Sequence, residues 1–423
     1  MASKSRLERA LNAWLRDGGD LRAVLNPVDD DPVTTRAEAE AVCKVAQRAA
    51  TTSVRPSAIS PLHRVVAFFQ QVKSREAFEV LRDQGLPTLR LCVSDALAGN
   101  NAKESDLEFI LKVLAMYQQA EDVELIASAA RKAGEEAGYM WSVILGQFDA
   151  EHACSRLLVD ALRDPLPKGF LGIAYLDMAN GLAIGGVVDR HPFDTEDGHG
   201  RLMEWLSDQN ADHFSYAHSA TVAIPFIAAD HRDALIQLAL AHPAAQVRME
   251  AAWAQAKLGD EAGTKRLREL CLDPSFSATA QRYLTELGHE DWIPESALEA
   301  NFRAIAEMAN WLTHPSEMGR PPDSIELFDT RELHWPPTND TRRLWLVKYT
   351  YQKEGDSAPD VGVGMVGSVT FALFGEATAD LSAEDLYGLH CAWELECNRD
   401  ERAPAKRTPQ SGRLLLAQHN PGF

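Results

Sequence analysis

Between residues 158 and 274 the apolar positions return in a helical rhythm that is broken by similar stops. The segments Leu158–Pro165, Leu202–Gln209, Ile236–Pro243 and Leu267–Pro274 each place apolar residues at i, i+3 and i+4 and then end in a helix-breaking turn. Leu202, Trp205 and Leu206 show the spacing. The stops are 44, 34 and 31 residues apart. The last two intervals suit a two-helix unit, and the first suits one with an inserted loop. A second helix rich in small residues follows each stop. The clearest is Gln246–Leu258, with Gly259 placed as its C-terminal cap. Ala280, Leu287 and Gly288 repeat Ala251, Leu258 and Gly259 at a distance of 29 residues. The reading is mainly α: a solenoid of helical repeats over residues 76–312, preceded by a helical segment, 1–75.

The texture changes after residue 312. Pro315, Pro321, Pro322, Pro336 and Pro337 mark 313–341 as a proline-rich linker. Alternation then appears: Trp345, Val347, Tyr349 and Tyr351 share one strand face that should meet a core. A second strand is predicted over Gly367–Phe374. Ser382–Asp385 forms a capping box, opening a helix with Leu386, Leu389, His390, Trp393 and Cys397 on one side. The last 25 residues read as extended. Residues 342–423 are therefore expected to form a small α+β domain.

The stretch Pro243, Val247, Arg248, Ala251, Ala252, Ala254, Leu258, Gly259, Asp260 resembles the repeat of HEAT-like proteins, including the phycobilisome-lyase type. Gln255 and Ala256 stand where Leu and Gly are commoner in that pattern. The resemblance spans roughly residues 150–290 and implies a fold. Some HEAT-like enzymes bind iron through His-Glu pairs on successive helices. This chain has His289-Glu290 after a helix end, which departs from that pattern.

Charge is uneven. The chain carries a net −20, and residues 76–330 hold 20 Lys+Arg against 41 Asp+Glu. Such a segment repels nucleic acid and anionic membrane and favours a protein partner with a basic surface. The six cysteines are scattered without Cys-x-x-Cys spacing, which points to a reducing compartment without a disulfide frame or zinc site. The N-terminal residues lack the apolar stretch of a signal peptide. The most apolar run, Phe170–Val188, contains Asp177 and Asn180 and reads as a buried helix. The expected location is the cytoplasm.

Four motifs are candidates for function. Gly362-Val-Gly364-Met-Val-Gly367 fits G-x-G-x-x-G, but a strand rather than a helix is predicted after it, so close packing of a glycine-rich strand explains it better than phosphate binding. The loop Asp189–Gly200 gathers His191, Asp194 and His199, with His213 and His218 beyond. These are conceivable metal ligands without a recognised spacing, and no metal or cofactor is expected. His390 and Trp393, with Tyr349 or Tyr351, could line a ligand pocket in the C-terminal domain. His334-Trp335-Pro336-Pro337 is either a docking motif or linker with a buried Trp. The leading expectation is a protein-interaction scaffold or adaptor. The alternative is a ligand-binding or catalytic C-terminal domain on a repeat platform.

Overall fold

A computed structural model describes residues 4–51, 61–99, 104–210, 214–314, 316–352, 359–374, 378 and 380–423. His213 lies outside them. The chain divides into two units, Met1–Val247 and Arg248–Phe423.

The first unit is helical. It contains α1 (Arg6–Asp17), α2 (Leu21–Leu25), α3 (Arg36–Ala50), α4 (Pro61–Gln70), α5 (Arg75–Val80), α6 (Leu86–Leu97), α7 (Glu104–Met116), α8 (Val123–Ala133), α9 (Met140–Leu145), α10 (Ser155–Leu162), α11 (Gly169–Ile184), α12 (Glu196–Ser207), α13 (Phe214–Ala223) and α14 (Ala229–Ala241). Side-chain caps start several of them. Thr35 and Glu38 close a full capping box on α3, and Ser5, Ser74 and Thr195 accept from the first turns of α1, α5 and α12. Packing joins alternate helices: α6 lies against α8 and α8 against α10, while α7 meets α9, α9 meets α11 and α11 meets α13. Among the described residues, no helix is long and apolar enough to cross a membrane.

Helix α15 (Ala245–Lys257) runs across the unit boundary, and α16 (Glu261–Leu270) and α17 (Ser277–Glu286) follow and pack on each other. The ends of α15 and α17 match. Gly259 and Gly288 adopt φ of 84° and 74°. The next N–H then closes back, Asp260 onto the Gln255 carbonyl at 3.0 Å and His289 onto the Leu284 carbonyl at 2.8 Å. Glycine is required there because a side chain disfavours that backbone region.

After α18 (Glu295–Leu298) and α19 (Ala300–Thr313) come four strands: β1 (Ser324–Trp335), β2 (Asp340–Tyr351), β3 (Asp360–Val366) and β4 (Phe371–Phe374). They form one antiparallel meander in the order β1-β2-β3-β4. Helices α20 (Ala383–Cys397) and α21 (Pro409–Ala417) complete the unit. Strand alternation sorts the side chains into two cores. Val347, Tyr349, Tyr351 and Val366 face Ala304, Met308 and Leu312 of α19. Leu344, Leu346, Val363 and Met365 face Leu386, Tyr387, Cys391 and Leu395 of α20 and Leu416 of α21. The sheet is therefore covered on both faces.

Three expectations change here. The segment 313–341 is no plain linker, because it carries β1. Pro321 and Pro322 precede the strand, and Pro336 and Pro337 sit in the β1–β2 turn, so the prolines bound a strand instead of interrupting one. The glycine motif lies in a strand, β3, as the close-packing reading expected, while the strand predicted over 367–374 begins later, at Phe371. The last 25 residues contain α21, opened by a Thr408–Ser411 capping box with Pro409 in its first turn.

Candidate functional site

Strand alternation decides the fate of the aromatic candidates. Tyr349 and Tyr351 point to the α19 face, 6.0 Å apart and edge-on. The Tyr351 hydroxyl donates to the Arg320 carbonyl at 2.9 Å, and the Arg320 guanidinium sits 4.6 Å over its ring. Burial pushes the Tyr351 phenol up to about 12 and raises Tyr349 as well. His390 and Trp393 belong to α20, on the other face. Phe371 stacks on Trp393 at 3.8 Å and meets His390 edge-on at 5.7 Å. The four residues expected to share a pocket therefore lie on two sides of one sheet. Their spacing in sequence could not reveal this, since the face of α20 that meets the sheet is set by Leu386, Tyr387, Cys391 and Leu395.

His390 is 1% exposed, and neither ring nitrogen has a hydrogen-bond partner among the described residues. Burial lowers its pKa to about 3, and the nearby Val363 carbonyl opposes this only weakly. Its folded pKa thus lies below the unfolded value, so the associated stability is complete above pH ~6.5 and is lost as pH falls toward 3. Between pH 7 and pH 5 the expected loss is about 2 kcal/mol. Urea denaturation of the full chain at both pH values measures it. His390→Leu should shrink the pH-dependent loss by about that amount, and an unchanged slope would contradict the assignment.

The G-x-G-x-x-G sequence serves packing. A Cβ on Gly362 would meet the Tyr349 ring at 2.5 Å, and one on Gly364 would meet the Met308 methyl at 2.2 Å. Gly367 turns the chain at φ 105°. Glycine here lets α19 and a tyrosine settle onto the strand, which is the close-approach reading.

In the 189–200 loop, His191, Asp194 and His199 come near one another, but their polar atoms are engaged within the protein. His191 is 2% exposed; its Nε2 lies 3.1 Å from Asn180 Oδ1, and its Nδ1 accepts the Phe193 N–H at 3.3 Å. Asp194 accepts from the Ala228 N–H at 2.9 Å, from His199 Nε2 at 3.0 Å and from Arg190 Nε at 3.1 Å. These donors hold its carboxyl below the usual range, against the opposing effect of burial. The loop is thus a helix-to-helix tie. Among the described residues, no group of three or more His, Cys, Asp or Glu is arranged to hold a metal ion.

One concavity has no counterpart among the sequence motifs. An open cleft of about 340 Å³ lies where the end of α8 approaches the α10–α11 turn. Buried Leu162, Leu166 and Leu171 make its apolar lining, and exposed Arg131, Glu135 and Lys168 stand at its edge. Its volume suits a small ligand or one partner side chain. The lining joins the end of α8, the end of α10 and the start of α11 with the turn between the last two; Leu162 and Pro165 belong to the first repeated stop, but that pattern does not announce a cavity. No protein-family model matches this chain, and no curated protein matches it.

Proposed function

We propose that the protein is a binding scaffold whose helical hairpins stack as HEAT-like repeats and whose acidic surface takes a protein partner bearing basic patches. The observation that carries this reading is a ladder of hydrogen bonds spaced by about one repeat. Arg90 binds Asp122, Cys154 Sγ reaches the Gln118 carbonyl, Asp194 accepts from Ala228, and His242 reaches the Asp208 carbonyl, at separations of 32, 36, 34 and 34 residues. Stacked repeats contact mainly their neighbours and present a long surface for recognition. The excess of 41 acidic over 20 basic residues in 76–330 favours a basic partner, and the cleft beside α8 offers it an apolar anchor. No disulfide joins the cysteines among the described residues, in keeping with a proposed cytoplasmic location. The alternative of a ligand-binding C-terminal domain loses the pocket expected from Tyr349, Tyr351, His390 and Trp393, which lie on two faces of the sheet.

The test uses the immobilised full chain and the kinetics of any protein it retains. Association should slow as salt rises from about 0.05 M to about 0.5 M, with dissociation changing little. Reversing Glu135, Glu136 and Asp164 to Lys should slow association roughly tenfold. A partner whose association ignores both salt and charge reversal, or tight binding of duplex DNA, contradicts the reading.

A further inference from the structure

The cleft beside α8 has apolar walls and a charged mouth. Leu162, Leu166 and Leu171 are buried in its walls, and buried Ala130 closes the α8 side. Pro165 and Pro167 complete the wall without adding a backbone donor. At about 340 Å³ the cleft sits at the small end of ligand sites. That volume suits one large apolar side chain with a short polar head. Of the three charged residues at the mouth, Arg131 is already committed: its guanidinium donates to the Ala161 carbonyl and pairs with Glu124 at 3.4 Å. Glu135 and Lys168 are exposed, and neither has an ion pair or a side-chain hydrogen bond among the described residues. Glu135 lies just past the end of α8, where Gly134 turns the chain at φ 55° and its N–H donates to the Ala130 carbonyl. Lys168 immediately precedes α11. The two backbones run side by side, since a Cβ on Gly169 would come within 3.5 Å of the Glu135 Cα. One carboxylate and one ammonium therefore share the lip of an apolar cleft.

We propose that this cleft binds a free α-amino acid with a large apolar side chain, of the leucine or phenylalanine class. The side chain enters among Leu162, Leu166 and Leu171, the carboxylate meets Lys168 and the ammonium meets Glu135. Each head group then finds an opposite charge at an open mouth, where it keeps part of its water and escapes the cost of full burial. An apolar acid or an apolar amine would leave one of the two protein charges unmatched. The interior of a peptide carries neither head charge, and a peptide terminus carries only one. A direct pair between Glu135 and Lys168 competes weakly, because exposed ion pairs contribute little. The site needs no protein partner, so it is independent of the scaffold reading. An amino acid held there would occupy the place that the cleft offers to a partner's anchor.

Three probes test this on the full chain by calorimetric titration and saturation-transfer NMR. They are L-phenylalanine, L-phenylalaninamide, which lacks the carboxylate, and N-acetyl-L-phenylalanine, which lacks the ammonium. The last two also stand for the ends of a peptide. L-Phenylalanine should bind saturably with a Kd on the order of 1 mM, and each single-charge probe about fivefold more weakly. Lys168→Met should weaken L-phenylalanine about fivefold and leave L-phenylalaninamide unchanged. Glu135→Gln should weaken L-phenylalanine by a similar factor and leave N-acetyl-L-phenylalanine unchanged. Both residues are exposed, so neither substitution disturbs the core. Equal affinity for the three probes overturns the proposal and reduces the cleft to an apolar anchor. Tighter binding of either single-charge probe overturns it in favour of a peptide terminus. It also fails if L-phenylalanine does not saturate below about 20 mM, or if both variants bind it as the parent does.

Discussion

Gly412→Ala should cost the protein about 3 kcal/mol, although alanine is the better helix former by about 1 kcal/mol. The reason is the crossing of α20 and α21. Both Gly388 and Gly412 are buried, and the two backbones meet there without side chains between them. A Cβ on Gly412 would lie 2.1 Å from the Gly388 carbonyl oxygen, and one on Gly388 would lie 2.7 Å from the Arg413 nitrogen. Backbone cannot rotate aside as a side chain can, so the helices must separate by about 1 Å, loosening Leu416 and Leu395 from the core they share. A control distinguishes this clash from any general effect of glycine replacement. Gly181 is an exposed helical glycine, and a Cβ there would find nothing within 4 Å. Gly181→Ala should stabilise by up to about 1 kcal/mol. Denaturant titration of the two variants beside the parent checks both signs. A neutral Gly412→Ala would mean that the helices do not cross as described.

Glu394→Ala should cost about 4 kcal/mol and Glu394→Gln clearly less. This carboxylate is 2% exposed in the core between α20 and the sheet. It accepts the Trp335 indole N–H at 2.8 Å, and the Ser368 hydroxyl lies 2.9 Å from both of its oxygens. Arg342 backs the group by donating to Ser368 Oγ at 3.3 Å and to the Gly367 carbonyl at 3.2 Å. The network joins the end of β1, the β3–β4 turn and the last turn of α20. Alanine strands the buried Trp335 donor and the half-buried Ser368 hydroxyl and opens a cavity beside Trp335, whereas glutamine keeps one acceptor in place. Unfolding followed through tryptophan fluorescence orders the variants. An alanine variant as stable as the glutamine one would remove the carboxylate from any anchoring role.

The helical half was legible because its signal is local. Apolar spacing, proline stops and glycine caps are set within a few residues, so the ends of α10, α12, α14 and α16 and the paired caps at Gly259 and Gly288 could be read directly. The faces of β2 were legible too, since Val347, Tyr349 and Tyr351 alternate strictly. β1 was hidden because it carries a bulge between Leu327 and Asp329 and many exposed polar residues. β3 was legible as a closely packed glycine-rich strand, but its partners were not, because the space over Gly362 and Gly364 is filled by Tyr349 of β2 and Met308 of α19. The function of His191 could not be read from its loop, because its partner Asn180 lies on α11 and no spacing rule links them.

The edge of β1 has a consequence for how the chain acquires its shape. The backbone of His334 is held by the side chain of Asn420, whose Oδ1 accepts its N–H at 2.8 Å and whose Nδ2 donates to its carbonyl at 3.1 Å, across 86 residues. Contacts that distant form slowly, while helices tied 32 to 36 residues apart form more quickly. As the chain emerges in synthesis, the first unit can therefore be complete while β1 still presents an open edge. That interval is when the sheet unit is most exposed to pairing with another chain.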